Sequence, residues 1–274
     1  MGGPGGPRRA AVLGSPIGHS KSPALHRAAY RAAGHPDWTY EAIESRCDDL
    51  AGFISGLDRT WLGLSLTMPC KEAGLAAADW VDPVASTTGA VNTLVLGDAS
   101  GARVSGYNTD VDGIVAALAE AEVGPTRHAA VLGAGATARS AVAAMARRGA
   151  KRIDVYARRA SAAERVVSLA RDLGCDALGR PWQEAGDCLA ADVVLSTVPA
   201  GAAASLASSI RGRDSGAALL DVAYQPWPSA LSAVWPGPIT VSGLSMLLWQ
   251  AVAQVRLMAG FDPDVAAMKA AVGL

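Results

Sequence analysis

The chain carries little charge and almost no excess of either sign. Of its 274 residues, 18% are charged and the formal net charge is −1. That balance offers no basic face to nucleic acid or to an anionic membrane, so the expected partner is a small molecule. Long apolar runs are missing too, and no stretch approaches the roughly 20 apolar residues that span a bilayer. After the start Met1–Arg9, the run Ala10–Leu13 is cut off by Gly14 and Pro16, too soon for a secretory signal. Cys47, Cys70, Cys175 and Cys188 are scattered without C-x-x-C spacing. This argues against zinc and against a disulfide framework, and it fits a reducing cytoplasm. His19, His26, His35 and His128 show no ligand spacing, so no metal is expected. Lysine is scarce, at four residues: Lys21, Lys71, Lys151 and Lys269.

Half of the residues are hydrophobic, and the length suffices for one large domain or two ordinary ones. Short β-like runs alternate with helical runs, the pattern of an α/β protein with largely parallel sheets. Strands are expected at Arg9–Gly14, Trp38–Ile43 and Trp61–Leu66. A hairpin is expected from Ala90–Leu96 and Ala102–Tyr107, closed by Gly97–Gly101. Ser22 as N-cap with Pro23 at N1 predicts a helix through Tyr30 toward Gly34. Pro69 opens another, which carries Lys71. The helix Val111–Val123 stops at Gly124-Pro125. Then come a strand at His128–Leu132, a glycine turn, a helix at Thr137–Arg148 and a strand at Arg152–Tyr156. Asp192–Thr197 and Ala217–Val222 continue that sheet, and Gly243 begins a long helix, Leu244–Met258, before a short one at Pro263–Val272.

The glycine turn carries the first chemistry. Ala129–Leu132 reads as a buried parallel strand, followed at once by Gly133-x-Gly135-x-x-Ala138 and an alanine-rich helix. The first glycine permits a tight turn, and the second lets backbone approach a pyrophosphate. Small Ala138 allows close helix–strand packing, and the helix N-terminus attracts the anion. An NAD enzyme presents an acidic residue at the tip of the next strand. Here Asp154 lies within that strand, and the tip is Ala157-Arg158-Arg159. Guanidinium groups suit a 2′-phosphate, so NADP is preferred over the alternative that both arginines are merely solvated.

The second constellation surrounds Lys71, which ends the apolar run Trp61–Cys70. A lysine with a poorly hydrated stem shifts its pKa readily and suits proton transfer; the bland alternative is a surface lysine on a first helical turn. Its company favours the first. Ser20 and Ser22 stand at a helix entrance, Ser65 and Thr67 share one strand face, Asn92 lies early in another strand, and Asn108 and Asp110 flank Thr109. Hydroxyl, amide, ammonium and carboxylate groups together suit a small polyhydroxylated acid. Singly, each has a structural explanation, such as a cap or a turn former.

These motifs resemble the shikimate dehydrogenase family over nearly the whole length. The resemblance runs from Gly14-Ser15-Pro16-Ile17-Gly18-His19-Ser20-Lys21-Ser22-Pro23 through Leu66–Lys71, Gly89–Leu94 and Asn108-Thr109-Asp110 to Gly243–Gln250. It implies an N-terminal α/β substrate domain (residues 1–109), a C-terminal Rossmann-type doubly wound NADP domain (110–241) and a cleft between them. The helices of 242–274 would return to the substrate domain, and closure would hinge near Thr109–Asp110 and Ser242–Gly243. Lys71 and Asp110 match the catalytic pair. Ser20, Ser22, Thr67, Asn92, Gln250 and Tyr224 match substrate positions, with Ser65 beside them. Gly133, Gly135, Ala136, Ala138, Arg158, Arg159, Thr197 and Gly243 fall on the cofactor side. The implied reaction is NADPH-dependent reduction of 3-dehydroshikimate to shikimate in aromatic amino-acid biosynthesis, by a cytoplasmic monomer or homodimer.

Three positions depart from the family pattern. Ser65 stands where an asparagine is usual, the clamp Asn-Arg-Thr is Ala157-Arg158-Arg159, and a usual basic residue is Ala162. Two other readings stay open: an NAD-linked quinate/shikimate dehydrogenase, against which Ser22 in place of a threonine counts, and a non-catalytic paralogue that binds dinucleotide or shikimate.

Overall fold

The computed structural model describes residues 6–97, 101 and 103–274. Asp98, Ala99 and Ser100 of the expected hairpin turn, Ala102 at the start of its second strand, and Met1–Gly5 lie outside these. The chain divides into two compact units. One takes the described residues up to Thr109 together with Leu247–Leu274, the other Asp110–Met246.

The first unit contains β1 (Arg9–Gly14), α1 (Ser22–Ala32), β2 (Thr39–Glu44), α2 (Leu50–Ser55), β3 (Trp61–Leu66) and α3 (Lys71–Ala77). It continues with β4 (Trp80–Val81), α4 (Pro83–Thr88), β5 (Thr93–Leu96) and β6 (Val104–Tyr107). Its sheet runs β2-β1-β3-β5-β6-β4. β1 is parallel to both neighbours, whereas β5 is antiparallel to β3 and β6. The sheet is therefore mixed. Because β1 is flanked by β2 on one side and β3 on the other, the chain reverses direction there. Ligands of α/β sheets bind at such a point, outside the carboxyl ends of the strands. Alternation along β1 feeds both faces: Ala10 and Val12 join one core with Leu25 and Tyr30 of α1, and Ala11 and Leu13 join another with Leu50 and Ile54 of α2.

The second unit contains α5 (Asp110–Glu120), β7 (His128–Leu132), α6 (Ala136–Arg147), β8 (Arg152–Ala157), α7 (Ala160–Asp172) and β9 (Asp176–Pro181). β10 (Val193–Ser196), α8 (Ala204–Ile210), β11 (Ala218–Asp221) and β12 (Thr240–Ser242) follow. All its strands are parallel, in the order β9-β8-β7-β10-β11-β12, a doubly wound Rossmann arrangement whose switch point falls between β7 and β10. The last helices are α9 (Gly243–Ala259) and α10 (Val265–Ala270). α10 packs on α1, and Val252, Val255 and Met258 of α9 join the core beneath β1 in the first unit. Among the described residues, no helix is long and apolar enough to cross a membrane.

Two expectations need correction. Cys47 and Cys70 form a disulfide, with Cα atoms 5.4 Å apart, while Cys175 and Cys188 are free. Sequence spacing hid the pair because contact is set by strand order. Cys47 follows β2 and Cys70 follows β3, and both strands flank β1, so their loops emerge at the same end of the sheet. Ser22 is the first residue of α1 rather than its cap; Lys21 takes the cap position without a side-chain bond. The backbone N–H of Ser22 donates to Ser20 Oγ at 3.3 Å instead.

Candidate active site

The loops leaving β1 and β3 are tied together at the sheet's carboxyl end. The N–H of Ser15 donates to the Met68 carbonyl and that of Thr67 to the Leu13 carbonyl, each at 2.9 Å. Gly14 permits this approach, since a Cβ there would collide with the Thr67 methyl. Glu44, at the end of β2, accepts from Ser15 Oγ at 2.6 Å and from the Ile17 N–H at 2.9 Å. Those two bonds hold its carboxyl below the usual range. The loop so pinned delivers Ser20, half-buried, and Ser22, buried. Thr67 and Lys71 are also half-buried, with Lys71 opening α3 just past the disulfide at Cys70. The carbonyl of Lys71 accepts from the Val91 N–H at 2.9 Å, which ties the start of α3 to the segment before Asn92.

Asn92 is the knot of this unit. Its Nδ2 donates to Thr109 Oγ1 at 2.9 Å and to Gln250 Oε1 at 3.4 Å. Its Oδ1 accepts from the Thr109 N–H and from Thr93 Oγ1, both at 2.8 Å. Asn92, Gln250 and Thr109 are all buried, so each bond forms away from solvent, where leaving it unmade is costly. Asn108 donates through Nδ2 to Thr88 Oγ1 at 2.8 Å. Ser20, Ser22, Ser65, Thr67, Lys71, Asn92 and Gln250 thus all belong to the first unit. Ser65 is buried and bonded to Tyr40 and Gln254, neither of which the motifs single out. The available signal was spacing: Gln254 stands one helical turn after Gln250.

In the second unit, Asp110 opens α5 and is buried, and Tyr224 is half-buried, its phenol pKa raised by burial. Gly133 has φ +113°, and a Cβ on it would lie 2.5 Å from Thr197 Oγ1. Glycine is therefore required there twice over. Thr197 Oγ1 donates to the Leu132 carbonyl at 2.8 Å, fixing the crevice at the switch point. Gly135 caps α6, and a Cβ on it would meet open space, the place a pyrophosphate needs at a helix N-terminus. Ala138 is fully buried. Asp154 is committed within the sheet, to Arg152 at 2.8 Å and His128 at 3.1 Å. It offers nothing to a ribose, whereas Arg158 and Arg159 are exposed just beyond β8. The donor set fits a dinucleotide with an added phosphate. Gly243 needs its glycine for packing, because a Cβ would strike the Val222 carbonyl.

Known proteins share this arrangement. Residues 12–94 match the shikimate dehydrogenase substrate binding domain and 243–272 the shikimate 5'-dehydrogenase C-terminal domain. Residues 128–225 match the domain described as NADP oxidoreductase, coenzyme F420-dependent. The shikimate dehydrogenase (NADP(+)) of Thermus thermophilus is 35% identical over 268 residues, covering 96% of this chain and 97% of that one. The chain belongs to the shikimate dehydrogenase family. The crystal structure of Mycobacterium tuberculosis shikimate dehydrogenase superposes with a TM-score of 0.89 at 40% identity, over 97% of this chain and 99% of that one. The Thermus thermophilus enzyme in complex with NADP(H) and shikimate gives 0.80 at 30%, over 97% and 98%. As a shikimate dehydrogenase, the chain is an oxidoreductase with a substrate-binding α/β unit and a Rossmann unit for NADP.

Proposed function

We propose that this shikimate dehydrogenase reduces 3-dehydroshikimate reversibly to shikimate, with Lys71 as its acid–base group. Near-full-length kinship with NADP-dependent relatives carries the reading. NADPH, held by the glycine turn and the residues around it, would supply the chemistry of hydride transfer to the ketone carbon. The Lys71 ammonium would donate the proton to the carbonyl oxygen, and its charge would stabilise the oxyanion before transfer completes. In the oxidative direction neutral Lys71 would act as base. Asp110 would hold the ammonium and bind a neighbouring substrate hydroxyl. Ser20, Ser22, Ser65, Thr67, Asn92, Tyr224 and Gln250 would bind the carboxylate and hydroxyls. Gly133, Gly135, Ala136, Ala138, Thr197 and Gly243 would line the dinucleotide, with Arg158 and Arg159 at its 2′-phosphate.

The division into a substrate domain (1–109), an NADP domain (110–241) and closing helices (242–274) belongs to the same reading. So do a cytoplasmic location, a monomeric or homodimeric state and the lack of nucleic-acid or membrane partners. Steady-state kinetics test the roles. Lys71→Ala is expected to lower kcat by about 10² to 10⁴-fold with the KM for NADP unchanged. Asp110→Asn should lower kcat and raise the KM for shikimate. Normal turnover in the lysine variant removes Lys71 from the mechanism.

A further inference from the structure

A buried chain of hydrogen bonds leads from Tyr40 to Asn92, and its polarity can be deduced. Gln254 Nε2 lies 3.3 Å from the Asn92 carbonyl oxygen and 3.0 Å from Thr93 Oγ1. A carbonyl can only accept, so the amide nitrogen of Gln254 must face it and Oε1 must face away. That Oε1 lies 3.2 Å from His26 Nε2 and 2.8 Å from Ser65 Oγ. Both neighbours must therefore donate. His26 is fully buried and its pKa is pushed down to about 3 by desolvation, so it is a neutral ring with its hydrogen on Nε2. Nδ1 is then the bare acceptor nitrogen, and it has no partner among the described residues. Ser65 spends its one hydrogen on Gln254, so the Tyr40 phenol, 2.6 Å away, must donate to Ser65 Oγ. Tyr40 in turn is held by stacking on His26, with centroids 3.9 Å apart.

We infer that Gln254 is a positioning residue for the substrate: it steadies the Asn92 segment and, by taking the Ser65 hydrogen, leaves that hydroxyl able only to accept from a substrate. The inference rests on the reading of Asn92 as substrate-binding. Tyr40 donates to Ser65, Ser65 and His26 donate to Gln254, and Gln254 donates to the Asn92 carbonyl and to Thr93, so Ser65 keeps one lone pair uncommitted in the network. A substrate group meeting Ser65 must then bring its own hydrogen, which selects a hydroxyl over a carbonyl or ether oxygen. The asparagine usual at this position could donate or accept, so the serine narrows the choice.

Kinetics of full-chain variants with shikimate and NADP test the idea. Gln254→Ala should raise the KM for shikimate about tenfold, the loss of one to two buried hydrogen bonds, with kcat and the KM for NADP within about twofold. Tyr40→Phe removes a single oxygen and threatens the fold least; about a threefold rise in the same KM is expected. Ser65→Ala, which removes the acceptor itself, should raise the same KM at least as much as Gln254→Ala. Folded variants with an unchanged KM for shikimate overturn the positioning role. Asn92→Ala separates the two layers of argument. If it raises the KM while Gln254→Ala and Tyr40→Phe do not, only the positioning role fails. If none of the three moves it, the substrate-site reading fails as well.

Discussion

Burial keeps His26 neutral well into the acid range, and stability should report this. With a folded pKa of about 3 against 6.5 for a free imidazole, the unfolded chain binds the extra proton first as pH falls. The contribution is complete above pH 6.5 and is lost as pH drops toward 3, by up to about 5 kcal/mol over the window. Urea midpoints measured from pH 7 to pH 4 should therefore fall steeply in the wild type. In His26→Gln, which carries no charge at either end, that component of the slope should vanish; an identical slope would mean the ring is not desolvated. Individual residues were unevenly legible. Gly133, Gly135 and Lys71 stand out in the sequence because each sits in a local pattern with a physical reason. Tyr40, Gln254 and His26 do not, because their roles come from contacts spanning most of the chain, such as His26 to Gln254.

At the scale of elements, the loops leaving β1 and β3 carry Ser20, Thr67 and the start of α3 with Lys71, and the Cys47–Cys70 bond ties the loop after β2 to the one after β3. A disulfide closing a separation of 23 residues is worth about 3 kcal/mol through the unfolded chain. Reductant should lower the denaturation midpoint accordingly. Thiol titration of the oxidised, denatured protein should find two thiols, Cys175 and Cys188; four would contradict the pairing. A reducing cytoplasm would hold the pair open, which ties the proposed location to the same titration. Buried strands such as β1, β3 and β7 were readable as short apolar runs. β9 was not, because Asp176–Pro181 is a half-exposed edge strand containing Gly179 and Pro181. β12 has three residues, too few for any period. α7 has no counterpart among the expected elements, although Ala162, Ala163, Val166, Val167 and Ala170 recur at helical spacing.

For the whole molecule, the two sheets divide the labour, and each was foreshadowed to a different depth. The parallel Rossmann sheet followed from alternating runs and a glycine turn. The mixed first sheet followed only in part: the hairpin of β5 and β6 was expected and pairs antiparallel, but its place beside β3 is set by tertiary packing. Cofactor choice belongs to this scale because it reads a strand tip against a sheet interior. Asp154 is tied to Arg152 and His128, and Arg158 and Arg159 are exposed beyond β8. Replacing Arg158 and Arg159 by alanine should raise the KM for NADP by about tenfold or more while leaving that for NAD unchanged. Equal effects on both cofactors would place the arginines elsewhere. The most direct test of the account is the initial rate of the purified chain with shikimate and with quinate, each with NADP and with NAD. Shikimate with NADP should give the highest kcat/KM of the four. A higher value for quinate with NAD, or no turnover in any combination, would contradict it.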